Sequence, residues 1–595
     1  MRRVQFTFLL ALACLLLVPW AHVRAAKKKK AGSASQATAA YVGTAACSRC
    51  HLAIANNFAR ASMGHSLTPV TSDLLKTLPL TPDHNTTVID PTTHHELTVH
   101  AEEGKLYQTE SEAANGREVF RNTHPMEWIV GTGENGFGAL LRRDGYLFQA
   151  PLSYYSKAAH WDLSPGYQNG DLAFNRLIQP GCIYCHSGRP QPVPNFAGKY
   201  AAAPFTQTSV GCENCHGPGS AHVDAMENGE EYKPGHDPTI VNPQHLTGQL
   251  SDDICMGCHQ VGDARVLKPG KTYQDFRPGQ PLDNTVSIFI EPPSPEHPPQ
   301  DDHLEHYYAM SLSKCFRASA AQPESKQMRC ITCHDPHVEP TAAEAPVFYN
   351  AKCMTCHTAA SCKAPLATRQ ATAPADNCIG CHMPKRAITV ISHSVATNHR
   401  IVARPDESFP DVAFSQTTAA MPDLIHLNAV GPRGTAAAPT PALARLQAYA
   451  LLEISKPAGK EHFHAAWLST LGELEKTDTE DAIVQAALGH RELEAHNLPQ
   501  AIDHLQHALR LNATQPAVLA DLSEAQAQSG RLDEAIASAS KAVEFDPFAP
   551  GMQKTLIERL IEAKQYPQAQ AALEHYVQLF PEDDGMRRML ALVKE

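Results

Sequence analysis

Apolar and polar positions fall into four textures along the chain. The first is an apolar run, Phe6 to Val18, behind Arg2 and Arg3. The second is short alternation. Glu96-Leu97-Thr98-Val99-His100, Lys105-Leu106-Tyr107-Gln108 and Glu118-Val119-Phe120-Arg121 switch character in the way a strand with one face in a core must. Leu140 to Gln149 encloses Arg143-Asp144-Gly145-Tyr146, whose Asp-Gly pair suits a two-residue hairpin turn. Together these predict a small antiparallel β insert over about 85–155. The third texture, 182–382, has no sustained period and is broken by proline at 190, 192, 194, 218, 278, 292, 293, 295, 298 and 299. It predicts short helices and loops.

The fourth texture begins past a Pro/Ala/Thr-rich linker at 401–440 and is helical. Residues 501–510, 535–544 and 569–578 repeat the same apolar spacing 34 residues apart. Leu498, Leu532 and Tyr566 hold equivalent places, as do Pro547 and Pro581. That period is the one of tetratricopeptide repeats, each a helix-turn-helix that buries its apolar face only against a neighbour. Residues 481–583 make about three repeats, 441–475 a degenerate pair in front, and 584–594 a capping helix. The repeat domain is therefore expected over 441–595, an α-solenoid able to dock a peptide or protein partner.

Cysteine changes the picture of the aperiodic part. Of 17 cysteines, 14 lie in seven copies of Cys-x-x-Cys-His. The pairs are Cys47/Cys50, Cys182/Cys185, Cys212/Cys215, Cys255/Cys258, Cys330/Cys333, Cys353/Cys356 and Cys378/Cys381. The histidines that follow are His51, His186, His216, His259, His334, His357 and His382. This is the attachment pattern of c-type haem. Two thiols add across the two vinyl groups of one porphyrin, and the next residue is placed under the iron as a ligand. A zinc site would need paired motifs closing four-ligand shells and gives no reason for a histidine after every pair. A redox dithiol needs one motif, not seven. Seven covalently attached haems are expected, and the porphyrins would supply the apolar surface that a proline-rich chain lacks.

Three cysteines remain: Cys14, Cys315 and Cys362. Cys14 falls in the leading apolar run, which with Val23-Arg24-Ala25 reads as a signal peptide over 1–25, followed by a disordered leader over 26–40. The alternative is an uncleaved N-terminal anchor, the one route to a membrane. Export to the periplasm is expected, and in an oxidising compartment Cys315 and Cys362 are expected to pair. A formal net charge of −12 argues against nucleic acid as a partner.

A second iron ligand must come from elsewhere in the chain. His222 follows the tight turn Cys215-His216-Gly217-Pro218-Gly219, and His337 follows His334-Asp335-Pro336. His393 and His399 lie just past the last motif, and His306 opens a helical run towards Cys315. Each of these has the bland alternative of a turn or surface histidine. With Tyr41–His51, Cys212–Gly219, Cys330–His337 and Cys378–Lys385, these residues resemble the multihaem cytochromes related to the nitrifier tetrahaem cytochrome c that accepts electrons from hydroxylamine oxidoreductase. The bacterial versions fused to tetratricopeptide repeats are nearest. The resemblance covers about 41–400. It implies stacked, mostly bis-histidine haems in a fold that is mainly α with much irregular structure. It also implies a distal ligand about a dozen residues after the first motif, where this chain has Met63, with His65 as alternative. Met63, His222, His306, His337, His393 and His399 would serve six irons. The seventh has only His95, His124, His160 and His245 to draw on, or stays open.

The function that follows as an expectation is transfer of electrons between redox partner proteins along packed haems. The alternatives are a reductase or oxidase of a small nitrogen or sulfur compound at one five-coordinate haem, and an assembly scaffold dominated by the repeats. No catalytic residue is legible.

Overall fold

The computed structural model describes residues 39–594 apart from 168–172, 234, 292, 294–304, 386–396, 405, 415–423, 430–440 and 456–460. The signal segment, most of the leader, Cys14, His393 and much of the linker lie outside the described residues. Among the described residues no helix is long and apolar enough to cross a membrane.

The alternating stretch forms two antiparallel sheets around one core. Thr87–Ile89, Glu96–Glu102, Lys105–Ala114 and Arg117–Met126 pair in chain order. Leu67–Pro69, Trp128–Val130, Gly136–Arg143, Tyr146–Gln149, Leu152–Tyr155 and His160–Leu163 form the second sheet. The β region thus reaches further in both directions than the alternation alone predicts. Three hairpins use the same device. Glu103-Gly104, Asn115-Gly116 and Asp144-Gly145 all have positive φ at both positions, as a two-residue turn matching the strand twist requires. Leu97, Leu106, Leu141, Phe148, Trp161 and Phe174 fill the shared core. Apolar contact runs from the second sheet to the second Cys-x-x-Cys-His helix through buried Ile183.

Residues 182–382 are not only helix and loop. Arg189–Pro192 pairs with Tyr200–Gln207, and Ala264–Leu267, Val286–Ile290 and Ile425–His426 form a three-stranded sheet. The long gap between Cys255 and Cys330 leaves room for two of these strands.

The C-terminal texture folds as helical pairs. Helices begin at 34-residue intervals at Ala482, Pro516, Pro550 and Asp584, each of the first three followed by a partner starting at Leu498, Leu532 and Tyr566. A left-handed residue recurs at the turn inside each pair, His496, Gly530 and Lys564. Helices Pro441–Ser455 and Glu461–Thr477 stand in front. The array is fastened at both ends. Leu446, Tyr449 and Trp467 share a core with Val266, Phe289 and Leu424. At the other end Phe548 enters the β core, its ring 5.0 Å from that of Tyr146 and 4.8 Å from that of Phe148. The Arg143 guanidinium lies 4.5 Å from the Phe548 ring centre, and Arg587 pairs with Glu112 at 3.0 Å.

Candidate haem-binding site

Each Cys-x-x-Cys-His lies on a short helix or at its end, the longest being Gly248–His259. These helices pack on one another: Thr44–Ser48 on Cys212–His216, Gly248–His259 on both Pro180–His186 and Cys330–Cys333, and Ala345–Cys353 on Cys378–His382. Thiols of different motifs meet at these contacts. Cys47 hydrogen-bonds Cys212, Cys185 hydrogen-bonds Cys258, and Cys255 hydrogen-bonds Cys330. Cys215 lies within electrostatic reach of Cys255, and Cys333 of Cys353. In space the motifs therefore run first, third, fourth, fifth, sixth, seventh, with the second beside the fourth.

Four of the expected distal histidines stand opposite motif histidines. The rings of His51 and His222 are 6.3 Å apart at 22°, those of His216 and His337 6.0 Å at 14°, and those of His334 and His399 6.2 Å at 25°. A metal ion held between two imidazoles by bonds of about 2 Å, plus a ring radius on each side, separates the ring centres by roughly 6 Å. His306 lies 5.2 Å from His259 and 4.6 Å from His399. The imidazole opposite His51 is thus His222. Met63 and His65, on the turn Ser62–His65, line the wall of a different cavity. His95, His124 and His160 are in the β region, against Phe120, Phe174 and Tyr155 respectively, and His245 lies in a turn against Gly235.

The other ring nitrogen of these histidines is engaged. Nδ1 donates to the Val241 carbonyl from His216 (2.8 Å), to the Val402 carbonyl from His382 (2.7 Å), to the Thr397 carbonyl from His399 (2.9 Å) and to Asp237 Oδ2 from His222 (2.7 Å). Carbonyls only accept, so Nδ1 carries the proton and Nε2 keeps its lone pair for a metal. Burial, with neighbouring histidines adding to it, pushes His306 down to about 2 and His399 to about 4, and burial lowers His259 and His334 as well. A neutral imidazole is the form that ligates.

The cavity on which Met63 sits has a volume of about 4310 Å³ and is lined by residues of the second to seventh motifs. Single small-molecule pockets run to roughly 300–1,000 Å³. Asn512, Thr514, Pro516 and Phe545 of the repeats close one side of it. From Arg317 to Lys385, across three motifs, no residue is buried. Such a segment has no core of its own, and large apolar groups held at its cysteines would provide one. Opposed histidine pairs, paired thiols and this coreless segment all fit covalent haem. Among the described residues no three His, Cys, Asp or Glu side chains converge as a zinc shell would need.

Two of the fourteen motif cysteines, Cys50 and Cys356, are exposed and do not line the cavity. The reason is where the motif helix stops. In the first and sixth motifs it ends before the second cysteine, at Ser48 and at Cys353. Cys50 and Cys356 therefore fall on turns, each closed by its own N–H donating to the carbonyl of the first cysteine, Cys47 or Cys353, at 3.2 Å. In the other five motifs the helix continues through the second cysteine, Cys185, Cys215, Cys258, Cys333 or Cys381. The spacing is the same in all seven. Cys182 and Cys381 are exposed within their helices, and only Cys50 and Cys356 combine exposure with a place past the end of the motif helix. Their first-cysteine partners are better placed, Cys47 against Cys212 and Cys353 in the cavity wall.

Cys315 and Cys362 do not pair; both are free thiols. Cys315 lies near Cys333 and Cys353, and Cys362 near Cys378 and Arg369.

Residues that periodicity does not reveal tie the motifs together. Glu213, buried between the third pair of cysteines, accepts from Gly43 N (2.7 Å), Val42 N (2.9 Å) and Gly219 N (2.8 Å), clamping the chain before the first motif to the turn after the third. Asp252 accepts from Cys330 N at 2.9 Å, and Asn350 from Cys378 N at 3.0 Å.

Residues 157–217, around the second and third motifs, match the family described as cytochrome c554 and c-prime, and residues 492–560 match the tetratricopeptide repeat. The first family implies covalently bound c-type haem. Among solved structures, the first tetratricopeptide domain of Spaghetti bound to an HSP90 peptide is 14% identical, with a TM-score of 0.18, covering 20% of this chain and 96% of that one. A tetratricopeptide protein of Thermus thermophilus is 18% identical, with a TM-score of 0.21, covering 26% of this chain and 89% of that one. A comparison with curated proteins finds no match. The chain therefore combines a cytochrome c554-like region with C-terminal tetratricopeptide repeats.

Proposed function

We propose that this is an exported heptahaem c-type cytochrome that passes electrons between redox partner proteins. The observation that carries the reading is the set of opposed histidine pairs at 6.0–6.3 Å. Bound at the paired cysteines, haem would supply one-electron chemistry at iron. The chain's part is to hold two imidazoles across from each other at four of the seven motifs, with Nδ1 of His216, His399 and His222 tied to a carbonyl or carboxylate so that the ring cannot turn. It also keeps neighbouring motif helices in contact, which would bring haems bound there close together. The ligand pairs assigned are His51/His222, His216/His337, His259/His306 and His334/His399, and Met63 gives way to His222 at the first motif. The repeats offer a surface for a protein partner, as such repeats generally do.

The test is a paramagnetic resonance spectrum of the purified full chain with a count of covalent haems by mass. Seven haems, mostly low-spin, are expected. His222→Ala should convert one low-spin iron to high spin while Met63→Ala leaves the first motif's iron low-spin; the reverse result would overturn the assignment. A second reading, a reductase or oxidase at an iron with one protein ligand, draws on His357, which is exposed and among the described residues faces no imidazole. A high-spin signal that shifts on adding nitrite or hydroxylamine would favour it.

A further inference from the structure

Asp252 and Asn350 are each three residues before the first cysteine of a motif, Cys255 and Cys353. Three residues is one helical turn, so each shares a helix face with its own cysteine. Both sit on helices that run into a motif, Gly248–His259 and Ala345–Cys353. Both reach across to the same atom of another motif, the backbone N–H of its first cysteine, Cys330 at 2.9 Å and Cys378 at 3.0 Å. That N–H opens a short helix, Cys330–Cys333 or Cys378–His382, and has no partner within its own helix. These two motif helices thus each receive a side chain from an earlier motif. At the first motif the same position holds Thr44, which faces the Cys212 thiol rather than a cysteine N–H, and a Cβ on Gly211 would come within 2.7 Å of Thr44 Oγ1. The same position before the second, third, fifth and seventh motifs holds Gln179, Ser209, Gln327 and Ala375. Ser209 and Gln327 turn instead to the nearby backbone of Leu67 and Ala320. The acceptors that reach a cysteine N–H occur before the fourth and sixth motifs, the leading members of two docked pairs.

We propose that Asp252 and Asn350 are positioning residues that lock the attachment motifs in pairs, fourth with fifth and sixth with seventh, and so set the spacing of neighbouring haems. This rests on the reading of the protein as a multihaem cytochrome. An ordinary buried capping residue would stabilise one helix; these two join separate motifs, 78 and 28 residues apart in sequence. Asn350 is held in place by its own amide, which donates to the Asp376 carbonyl at 2.7 Å.

The experiment uses the full chain with its haems attached and three readouts: haem number by whole-protein mass, circular dichroism in the Soret band, and hydrogen exchange at the Cys330 and Cys378 amides. Closely spaced haems produce a split Soret signal whose amplitude depends on their separation and angle. Asp252→Ala should keep all seven haems, lose a large part of the split signal, and speed exchange at Cys330 at least tenfold. Asp252→Asn, which retains an acceptor oxygen, should restore both. Asn350→Ala should do the same at Cys378 and leave Cys330 protected, with Asn350→Asp restoring exchange protection. An unchanged split signal and unchanged exchange in both alanine variants would overturn the proposal, as would loss in Asp252→Asn equal to that in Asp252→Ala. If the wild-type chain carries no covalent haem by mass, the cytochrome reading itself fails, while the exchange data still report whether the docks exist.

Discussion

The segment 317–385 and the β region before it are of similar scale but built on opposite terms. In the β region, Trp161, Phe148 and Phe174 are wholly excluded from solvent, and two sheets close over them. From Arg317 to Lys385 no side chain is buried, although the stretch holds three Cys-x-x-Cys-His motifs. Its helices Cys330–Cys333, Ala345–Cys353, Leu366–Gln370 and Cys378–His382 are too short to stand alone and show no buried residue. The first region carries its core in its own side chains. The second has no such core, and on the proposed reading haem attached at its cysteines would supply one. On that reading one chain folds in part by the ordinary hydrophobic effect of its own side chains and in part only once a cofactor is in place.

The largest expected effect breaks the comparison at its weak side. Chain made without haem attachment should be cut by trypsin at Lys352, Lys363 and Arg369 at least about tenfold faster than in the β region or the repeats, because segments without buried contacts open locally at little cost. Equal protection of the two regions would show that the segment has a core of its own. On the strong side, Trp161→Ala should cost about 3–5 kcal/mol of stability, the range for deleting a buried aromatic. Denaturant unfolding followed in the far ultraviolet measures it, and the Soret spectrum of the folded variant should stay as in the wild type.

The β core is also expected to weaken in acid through His124. Burial, then the charge of Arg143, lowers this imidazole to about 4 from an ordinary 6.5. The fold favours the neutral ring, so its contribution is intact above pH 6.5 and is lost as the pH falls towards 4, when the unfolded chain takes up the proton first. The loss is roughly 3 kcal/mol over that window. His124→Gln should flatten the dependence of stability on pH between those values, and an unchanged slope would place the acid sensitivity elsewhere. The smallest effect lies in the repeats. Gly530 occupies a left-handed position that His496 and Lys564 also adopt, at φ of 57° and 59°. Lys564→Gly should stabilise by about 1 kcal/mol or less, read as a small rise in melting temperature. Gly530→Ala should do the opposite.

The comparison also bears on the repeats. Their period is independent of anything else in the chain, yet the array does not stand apart. Phe548 fills a place in the β core, Arg143 lies over its ring, and the leading helices share a core with Val266 and Phe289. A docking arm and a brace beside the large cavity are two uses of one solenoid, and the contacts at both ends fit the second.

The amino-acid sequence alone determined what rests on local spacing. Cys-x-x-Cys-His needs only five consecutive residues to be recognised, the repeats only a 34-residue period, and the hairpin at Asp144-Gly145 only a two-residue turn. Each is a local constraint that no distant residue can alter. What only the tertiary structure decided is every pairing across the chain. His222 stands opposite His51, 171 residues away, while Met63, 12 residues away, stands elsewhere. Cys315 and Cys362 remain separate thiols. Cys50 and Cys356 share their motif spacing with five other second cysteines, yet only they lie past the end of a motif helix. Asp252 and Asn350 carry no motif of their own, and only their reach to Cys330 and Cys378 marks them. A ligand pair or a cap is defined by a distance between side chains, and that distance is set by how helices and sheets pack, which spacing along the chain does not encode.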